Sequence, residues 1–216
     1  MCPGQGENVL MLEFIEGSHT YLWNGVQVPS VTQILREWVK LRSDRGYVHT
    51  ITGNSVDVTT FENAGDFGTA VHMGAKLIMT GGLDWEALDP ALVPPLRQFE
   101  KWLDDYNVRP IYIEQPMYSP KHMVAGTPDI IGVVQGFTHI DITDIKTGLV
   151  NEMVGPQTGG YEIIFRDTEK YRKPIVRHEL ILPRDGSPYK YNLLDNTRDE
   201  LFFLSKLFQY QFLKNR

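Results

Sequence analysis

The sequence predicts an α/β fold in which helices flank a central mixed β-sheet. Two observations favour this fold: segments with helical periodicity alternate with extended apolar runs along the chain, and three extended runs follow one another near its middle. The chain has 216 residues, of which 42% are hydrophobic, so it can bury one good core but is short for two full domains. We therefore expect one domain that covers residues 1–216.

The chain opens with turn signals at Glu16-Gly17 and Asn24-Gly25, and the apolar runs around them predict a strand hairpin or meander. A helix over residues 31–43 follows, with apolar side chains at helical spacing. In chain order the later predicted elements are helices over residues 59–80 and 91–106, extended runs over about 110–118, 122–134 and 137–146, a helix from Pro156, a strand within 173–183, a short strand, and a helix over about 196–213. The three extended runs are predicted to be adjacent antiparallel strands, because only short turns separate them.

Charge and cysteine content exclude several classes of protein. A formal net charge of −6 argues against a protein that coats nucleic acid or an anionic membrane by charge alone. The single cysteine, Cys2, excludes an internal disulfide framework and a cysteine-based zinc site, and it favours the reducing cytoplasm. No window reaches the roughly 18 continuous apolar residues of a membrane helix, and the N-terminus lacks a signal-peptide pattern, so no membrane association is expected.

The stretch GTPDIIGVVQGFTHIDITDIKTG, residues 126–148, places charged residues in an otherwise apolar hairpin. If residues 135–136 form a two-residue loop, the numbers of paired residues sum to 271. Asp129 and Asp144 then share one face at diagonal positions, with backbones about 7 to 8 Å apart. Lys146 lies two residues beyond Asp144 and therefore points the same way.

The same pairing applied at the Pro120-Lys121 turn brings Glu114 to this face, unless that longer turn slips by one residue. Three close carboxylates at the end of an apolar row are costly unless they are protonated or bind a cation. A hard divalent cation with oxygen ligands removes both penalties. The alternative is a solvated strand face with scattered charges. Asp141 falls on the opposite face and is the predicted negative control.

The backbone of this hairpin also departs from a regular strand. Gly126, Pro128 and Gly132 are poor strand residues, and proline cannot donate a hydrogen bond to a neighbouring strand. They predict a bulge or kink that opens the sheet beside Asp129 and gives a substrate room to approach.

With PD at 128–129 and DIK at 144–146, the hairpin resembles the PD-(D/E)XK nuclease superfamily of metal-dependent enzymes. The resemblance implies a restriction-endonuclease-like core. QTGGY is similar to the Q-x-x-x-Y motif of the RecB-like branch and places Gln157 and Tyr161 on one helix face. GTAVH resembles the helical histidine motif of that branch and identifies His72 as a candidate metal ligand.

Together these motifs span about residues 68–161, in the order of the family. The glycine pair Gly159-Gly160 costs about 1 kcal/mol of helix stability per residue relative to alanine. Close approach of a nucleic-acid backbone would account for the pair. The alternative is a frayed first turn with Gln157 solvated and Tyr161 in the core.

The resemblance implies roles for eight residues. Asp129, Asp144, His72 and the backbone carbonyl of Ile145 would hold one or two Mg²⁺ or Mn²⁺ ions, with Glu114 as an outer contributor. The implied catalytic residues are Asp129, Asp144, Lys146, Gln157 and Tyr161. Lys146 would position the nucleophilic water or neutralise developing negative charge. Gln157 and Tyr161 would bind the DNA backbone. Basic residues that could follow the strand are Lys40, Arg42, Arg45, Lys170, Arg172, Lys173 and Arg177.

The implied function is a metal-dependent DNA exonuclease of the small phage or bacterial type, which hydrolyses phosphodiester bonds in recombination, repair or replication and acts on DNA ends or single strands. It would lie in the cytoplasm of a bacterial or phage-infected cell. A homo-oligomer and a recombination or single-strand-binding partner are compatible with this role. The alternatives are an endonuclease of the same fold, a non-catalytic nucleic-acid-binding or recombination module, and a soluble interaction domain whose hairpin binds Ca²⁺ or nothing.

Within the predicted single nuclease domain, residues 1–58 form the N-terminal hairpin and helix. Residues 59–170 form the catalytic core, and residues 171–216 supply the C-terminal strands and helix.

Overall fold

The computed structural model describes residues 11–36, 58–134, 139–148 and 152–214, and over 58–66 it describes the backbone alone. The elements are β1 (Leu12–Ile15), a 3₁₀ turn (Glu16–Ser18), β2 (Thr20–Trp23), β3 (Val26–Val28), α1 (31–36 in its described part), α2 (Val58–Thr80), α3 (Val93–Tyr106), β4 (Arg109–Ile113), β5 (Met117–Ser119), β6 (Val124–Gly126), β7 (Ile130–Val133), β8 (Ile140–Lys146), α4 (Val154–Glu169), β9 (Ile175–Ile181), β10 (Lys190–Leu193) and α5 (Asp199–Lys214).

A five-stranded sheet with the order β10-β9-β8-β7-β4 forms the centre of the molecule. β8 and β9 run parallel, and the other neighbouring pairs are antiparallel. The helix α4 connects the two parallel strands, so β8, α4 and β9 form a β-α-β unit. The predicted α/β fold with a central mixed sheet flanked by helices is thus confirmed.

Each face of the sheet is covered by its own helices. Ile131 and Ile142 pack with α1, α4 and α5 on one face, while Ile130 and Ile145 pack with α2 and α3 on the other. This division follows from the alternation of side chains along a strand, which sends neighbouring residues to opposite faces. The helices supply large apolar groups that are almost fully buried, among them Phe203, Phe99 and Trp102.

The predicted arrangement of three adjacent antiparallel strands is wrong. The first run divides into β4 and β5, and the second divides into β6 and β7. β4 pairs with β7 in the central sheet, whereas β5 and β6 form a separate two-stranded ribbon. The breaks fall at residues 114–116 and 127–129, and each contains a proline that cannot donate to a ladder. Glu114 adds a left-handed backbone conformation with φ 43°.

The N-terminal meander is confirmed as a three-stranded antiparallel sheet. Its second turn has φ 51° at Asn24 and φ 78° at Gly25, the left-handed pair that a tight two-residue hairpin turn requires. The backbone N–H of Ala125 donates to the carbonyl of Pro29 at 2.9 Å, which ties the end of this sheet to the β5–β6 ribbon.

The predicted helices over 59–80, 91–106 and about 196–213 agree closely with α2, α3 and α5. The helix predicted from Pro156 is α4, which begins two residues earlier at Val154. The part of the predicted first helix beyond residue 36 lies outside the described residues. Among the described helices, none is both long and apolar enough to cross a membrane.

The glycine pair in α4 serves helix packing. A Cβ atom on Gly160 would lie 2.9 Å from Cγ1 of Val31 and 3.1 Å from the ring of Phe203, and one on Gly159 would lie 3.0 Å from the backbone nitrogen of Glu200. Both glycines are buried. The prediction that they face a nucleic-acid backbone is therefore wrong, because α1 and α5 occupy that space.

We expect Gly160→Ala to lower the free energy of unfolding by about 1–3 kcal/mol, the usual cost of overpacking a filled core. At a solvent-exposed helix position the same change would stabilise the protein by about 1 kcal/mol. The sign of the change in the free energy of unfolding therefore shows whether Gly160 is packed as the structure has it. Gly17→Ala is the control, because apart from its chain neighbours no described residue has an atom within 4 Å of the added methyl group. Urea denaturation of the variants measures both effects.

Candidate active site

The two aspartates come together where β7 begins and β8 ends, although the predicted register is wrong by two residues. Ile131 pairs with Ile142 and Gly132 with Asp141, so the numbers of paired residues sum to 273. A shift by an even number keeps every side chain on its predicted face. Continued by one residue, the register places Asp129 directly opposite Asp144 instead of diagonal to it. The predicted loop at 135–136 lies outside the described residues.

Lys146, Asp144, Gln157 and Tyr161 form one connected polar chain between β8 and α4. The Lys146 ammonium lies 2.5 Å from Oδ2 of Asp144 and donates to Oε1 of Gln157 at 3.4 Å. Nε2 of Gln157 lies 2.9 Å from Oδ1 of Asp144 and 3.1 Å from the hydroxyl of Tyr161. The helix α4 therefore fixes the orientation of the D-x-K segment through its first two turns.

Asp129 connects β7 to both β8 and α2. Its Oδ2 accepts a hydrogen bond of 2.6 Å from the backbone N–H of Ile145, and its Oδ1 lies 3.3 Å from Nδ1 of His72. The other imidazole nitrogen, Nε2, lies 3.1 Å from the carbonyl oxygen of Ile145. His72 thus reaches over the end of the sheet and contacts two of the other predicted metal ligands, Asp129 and the carbonyl of Ile145.

Glu114 lies beside Asp129, but not through the predicted strand pairing. It follows the end of β4, which pairs with β7, and its backbone N–H donates to the carbonyl of Asp129 at 2.9 Å. Its carboxylate lies 3.9 Å from Nδ1 of His72 and 3.5 Å from Nζ of Lys76 on α2. Lys76 was missed by the sequence reasoning, although a residue four positions after His72 lies on the same helix face.

Glu179 is a second residue that sequence reasoning missed. It pairs with Asp144 across the parallel β8–β9 ladder and is 2% exposed. Its Oε2 accepts a hydrogen bond from Asn192, but its Oε1 has no hydrogen-bond partner in the described part of the chain. The only sequence signal for it was an acid inside a predicted strand, in the segment IVRHELIL. The site therefore contains one more buried carboxylate than predicted.

The electrostatic state of Asp144 is set by burial. The residue is 1% exposed, and desolvation raises the pKa of its carboxyl to about 6 despite the neighbouring Lys146. Burial alone would lower the pKa of Lys146, but the carboxylates of Asp144 and Asp129 outweigh this and raise it. Oδ2 of Asp144 has this ion pair but no aligned hydrogen bond. The lysine charge is therefore what offsets the buried carboxylate.

His72 and Asp129 form a second charge pair. Burial opposes the charged form of each, but their mutual attraction raises the pKa of His72 to about 9 and lowers the pKa of Asp129. Burial and the Asp129 charge raise the pKa of Glu114. An imidazolium cannot bind a metal, so a cation would have to displace a proton from His72.

The donor set fits a divalent cation in its chemistry. It offers the buried carboxylate of Asp144, the largely buried carboxylate of Asp129, a backbone carbonyl and an imidazole, which are ligands that Mg²⁺ and Mn²⁺ accept. In the described part of the chain, no three histidine, cysteine or acidic side chains are already arranged as a metal-binding group. Instead the lysine and histidine charges satisfy the two aspartates. A cation would take over that compensating charge.

Tyr161 is 4% exposed, whereas Gln157 is half-buried. The ring of Tyr161 lies against Gly126, where an added Cβ would be only 2.9 Å from Cε1 of the ring. Its hydroxyl holds the Gln157 amide. Gln157 is thus the member of this pair with surface available to a ligand, and Tyr161 orients it.

The predicted reason for the unusual strand residues needs correction. Gly126 admits the ring of Tyr161, and Gly132 admits the carbonyl of Arg109, which would be 2.6 Å from an added Cβ. A bulge in β4 occurs opposite Gly132. These glycines therefore serve packing and do not leave space for a phosphate. The predicted break beside Asp129 is confirmed, because residues 127–129 lie in no strand.

Of the predicted strand-following basic residues, those that the structure describes lie away from the candidate active site. Arg177 is 6% exposed and forms buried ion pairs with Glu162 and Asp199. Lys170, Arg172 and Lys173 follow the C-terminal end of α4. They are about 20 Å along that helix from Gln157, at a rise of about 1.5 Å per residue. Lys40, Arg42 and Arg45 lie outside the described residues.

A comparison with protein-family models finds no family that matches this sequence, and a comparison with curated proteins likewise finds no match.

Asp141 lies on the opposite face from Asp144, as predicted, but it is a structural residue. Its Oδ2 lies 2.6 Å from Nδ1 of His178, and its Oδ1 accepts a hydrogen bond of 2.7 Å from Thr143. The residue is 3% exposed, and Tyr191 stacks on His178 at 4.1 Å. Asp141 is therefore unsuitable as a neutral control for activity.

We expect Asp141→Ala to lower the free energy of unfolding by about 3 kcal/mol, because it leaves buried groups of His178 and Thr143 without their partner. Asp104→Ala removes an exposed carboxylate and should change the stability by less than about 0.5 kcal/mol. Chemical denaturation of both variants measures the difference. Equal stabilities would contradict the structural role of Asp141.

Proposed function

We propose that this protein is a metal-dependent nuclease, and more specifically a DNA exonuclease with a restriction-endonuclease-like core. The observation that carries the proposal is the convergence of Asp129, Asp144, Lys146 and His72 with the carbonyl of Ile145 at the end of β8. These groups come from three separate parts of the chain. Their side chains satisfy one another, and their chemistry suits a divalent cation and a phosphate.

The fold around the site supports the same proposal. The site lies at the carboxyl end of a strand in a β-α-β unit, where open α/β sheets commonly bind ligands. The first turn of α4 lies beside it, since Gln157 is the fourth residue of that helix. Helix N-termini present backbone N–H groups and a partial positive charge, both of which favour a phosphate.

Asp129, Asp144, the Ile145 carbonyl and His72 would hold the Mg²⁺ or Mn²⁺ ion. When bound, the ion would supply Lewis acidity toward the phosphate and lower the pKa of a water molecule. The two aspartates are held in place before binding by the N–H of Ile145 and the amide of Gln157. Such fixed ligands reduce the reorganisation that binding requires.

Lys146 is placed to stabilise negative charge that develops on a phosphate. Its ammonium is held by Asp144 and Gln157 and is 23% exposed in its side chain, so it can reach a bound substrate. A compact ammonium in a partly dehydrated site stabilises such charge strongly. Gln157 would bind the substrate backbone, oriented by the hydroxyl of Tyr161.

The preference for exonuclease over endonuclease action rests on the resemblance to the RecB-like branch. The same holds for DNA as the substrate, for a role in recombination, repair or replication, and for a cytoplasmic location. Glu114 and Lys76 lie at the rim of the site, next to His72, and would act on it through that residue.

We expect the purified protein to degrade linear DNA in Mg²⁺ or Mn²⁺, and EDTA to abolish the reaction. Asp144→Asn and Lys146→Gln should each lower the rate by about 100-fold or more, the order expected when one charge-stabilising group is lost. Asp104→Asn, which alters an exposed acid on α3, should cut at the parental rate. A gel assay with labelled DNA measures the three rates.

A covalently closed circle separates the two kinds of nuclease. An exonuclease leaves the circle intact. Cleavage of the circle would show that the protein is an endonuclease and not an exonuclease. If Asp144→Asn and Lys146→Gln cut as fast as the parent protein, the assigned site is wrong.

Cation binding can be tested without activity. At about 100 times its dissociation constant, Mn²⁺ should stabilise the fold by about 2.7 kcal/mol, because it binds the native state alone. For a chain of this size that is a rise in melting temperature of about 5–10 °C. Asp144→Asn should lose most of this rise, and Asp104→Asn should keep it. A parent protein that melts at the same temperature in Mn²⁺ and in EDTA would refute the cation site.

A further inference from the structure

A groove lies between the N-terminal sheet, the β5–β6 ribbon and the C-terminal end of α5. Its volume is about 650 Å³, within the range of roughly 300–1,000 Å³ that ligand sites usually have. None of the residues that line it belongs to the cluster around Asp144. The groove is therefore a separate feature, which the proposed chemistry does not use.

The walls of the groove carry flat aromatic rings and side-chain amides. Trp23 stacks on Tyr118 with ring centroids 4.4 Å apart, and Trp23 is only half-buried, so part of its ring borders the groove. Gln33 donates to the hydroxyl of Tyr210 at 3.3 Å, which fixes a third ring at the opposite wall. Rings held in place by such contacts lose little entropy when a planar ligand stacks on them.

The charge of the groove differs from that of the chain as a whole. The chain has 27 acidic and 21 basic residues, yet among the described residues that line the groove none is Asp or Glu. Lys214 lies at one end of it and is exposed. A ligand with planar groups and negative charge suits this lining, whereas a basic peptide would find no acidic partner among the lining residues that the structure describes.

A short backbone segment connects the wall of the groove to the candidate active site. Tyr118 on its wall pairs with Ala125 in the ribbon, and the chain from Ala125 to Asp129 spans at most about 14 Å. The hydroxyl of Tyr21, two residues before Trp23, lies 2.7 Å from Oγ1 of Thr127 and fixes this segment.

We propose that this groove binds the bases of single-stranded nucleic acid. Trp23 and its neighbours provide a stacking platform, and Lys214 contacts a backbone phosphate. Bases in a duplex are stacked on one another and cannot enter, so the groove selects single strands. The inference rests on the proposed function for what happens next: a strand bound here extends toward Asp144, where its phosphate would be cut.

The test places a negative charge in the groove without disturbing the core. Val26 borders the groove, is 67% exposed and lies on an outer strand of its sheet. Val26→Glu should weaken binding of a short fluorescent oligothymidine about fivefold in EDTA, because the carboxylate repels the backbone. Val26→Gln has nearly the same shape without the charge and should bind within twofold of the parent protein. Lys214→Gln should lower the slope of log affinity against log salt by about 0.7, the value for one lost phosphate contact.

Binding in EDTA is independent of cleavage, so the two proposals fail separately. Val26→Glu should still hydrolyse a small phosphodiester in Mn²⁺ at the parental rate. If neither the parent protein nor the variants hydrolyse DNA, the nuclease proposal falls. The groove assignment still stands if Val26→Glu binds oligothymidine more weakly than both the parent protein and Val26→Gln. Three results would overturn the groove assignment. They are equal binding of oligothymidine by the Glu and Gln variants, tighter binding of a duplex than of a single strand, and binding of a peptide in the groove that oligothymidine does not displace.

Discussion

Two carboxylates buried at the end of the central strands set the constraint on which the rest of the site depends. Asp129 lies just before β7 begins and Asp144 lies near the end of β8, and each would be costly there without compensating charge. α2 supplies His72 to one, β8 itself supplies Lys146 to the other, and α4 supplies the amide of Gln157. Removing His72 or Lys146 takes away the charge that compensates an aspartate, and removing Gln157 takes away a hydrogen bond to Asp144, so the three elements are energetically coupled through the acids.

The faces of the strands could be predicted from the sequence, but their partners could not. Alternation alone placed Asp144 and Lys146 together and Asp141 opposite them, and an even error in register preserved that result. The partner of β4 is decided by two breaks in the chain, at 114–116 and 127–129, and a local pattern does not reveal which strand then returns to the sheet. Glu179 reached the site through a parallel pairing that sequence alone does not specify.

The glycines show a second limit of sequence reasoning. Gly126 and Gly160 were correctly identified as unusual for their elements, but the neighbour that requires each of them is tertiary: the ring of Tyr161 for one, Val31 and Phe203 for the other. A missing Cβ shows only that something approaches closely. Whether that neighbour is a substrate or another helix depends on contacts between residues distant in the sequence, and here packing accounts for both.

The segment 125–129 connects the wall of the groove to the charged cluster around Asp129. Ala125 belongs to the ribbon whose Tyr118 borders the groove, Thr127 is held by Tyr21, and Asp129 belongs to the charged cluster. Because Pro128 restricts its own backbone and has no N–H to exchange, this segment has few ways to rearrange. If nucleic acid bound in the groove displaced its wall, this rigid backbone segment would therefore transmit the displacement to the Asp129 carboxylate. Recognition of bases and placement of the acids would then depend on the same piece of backbone.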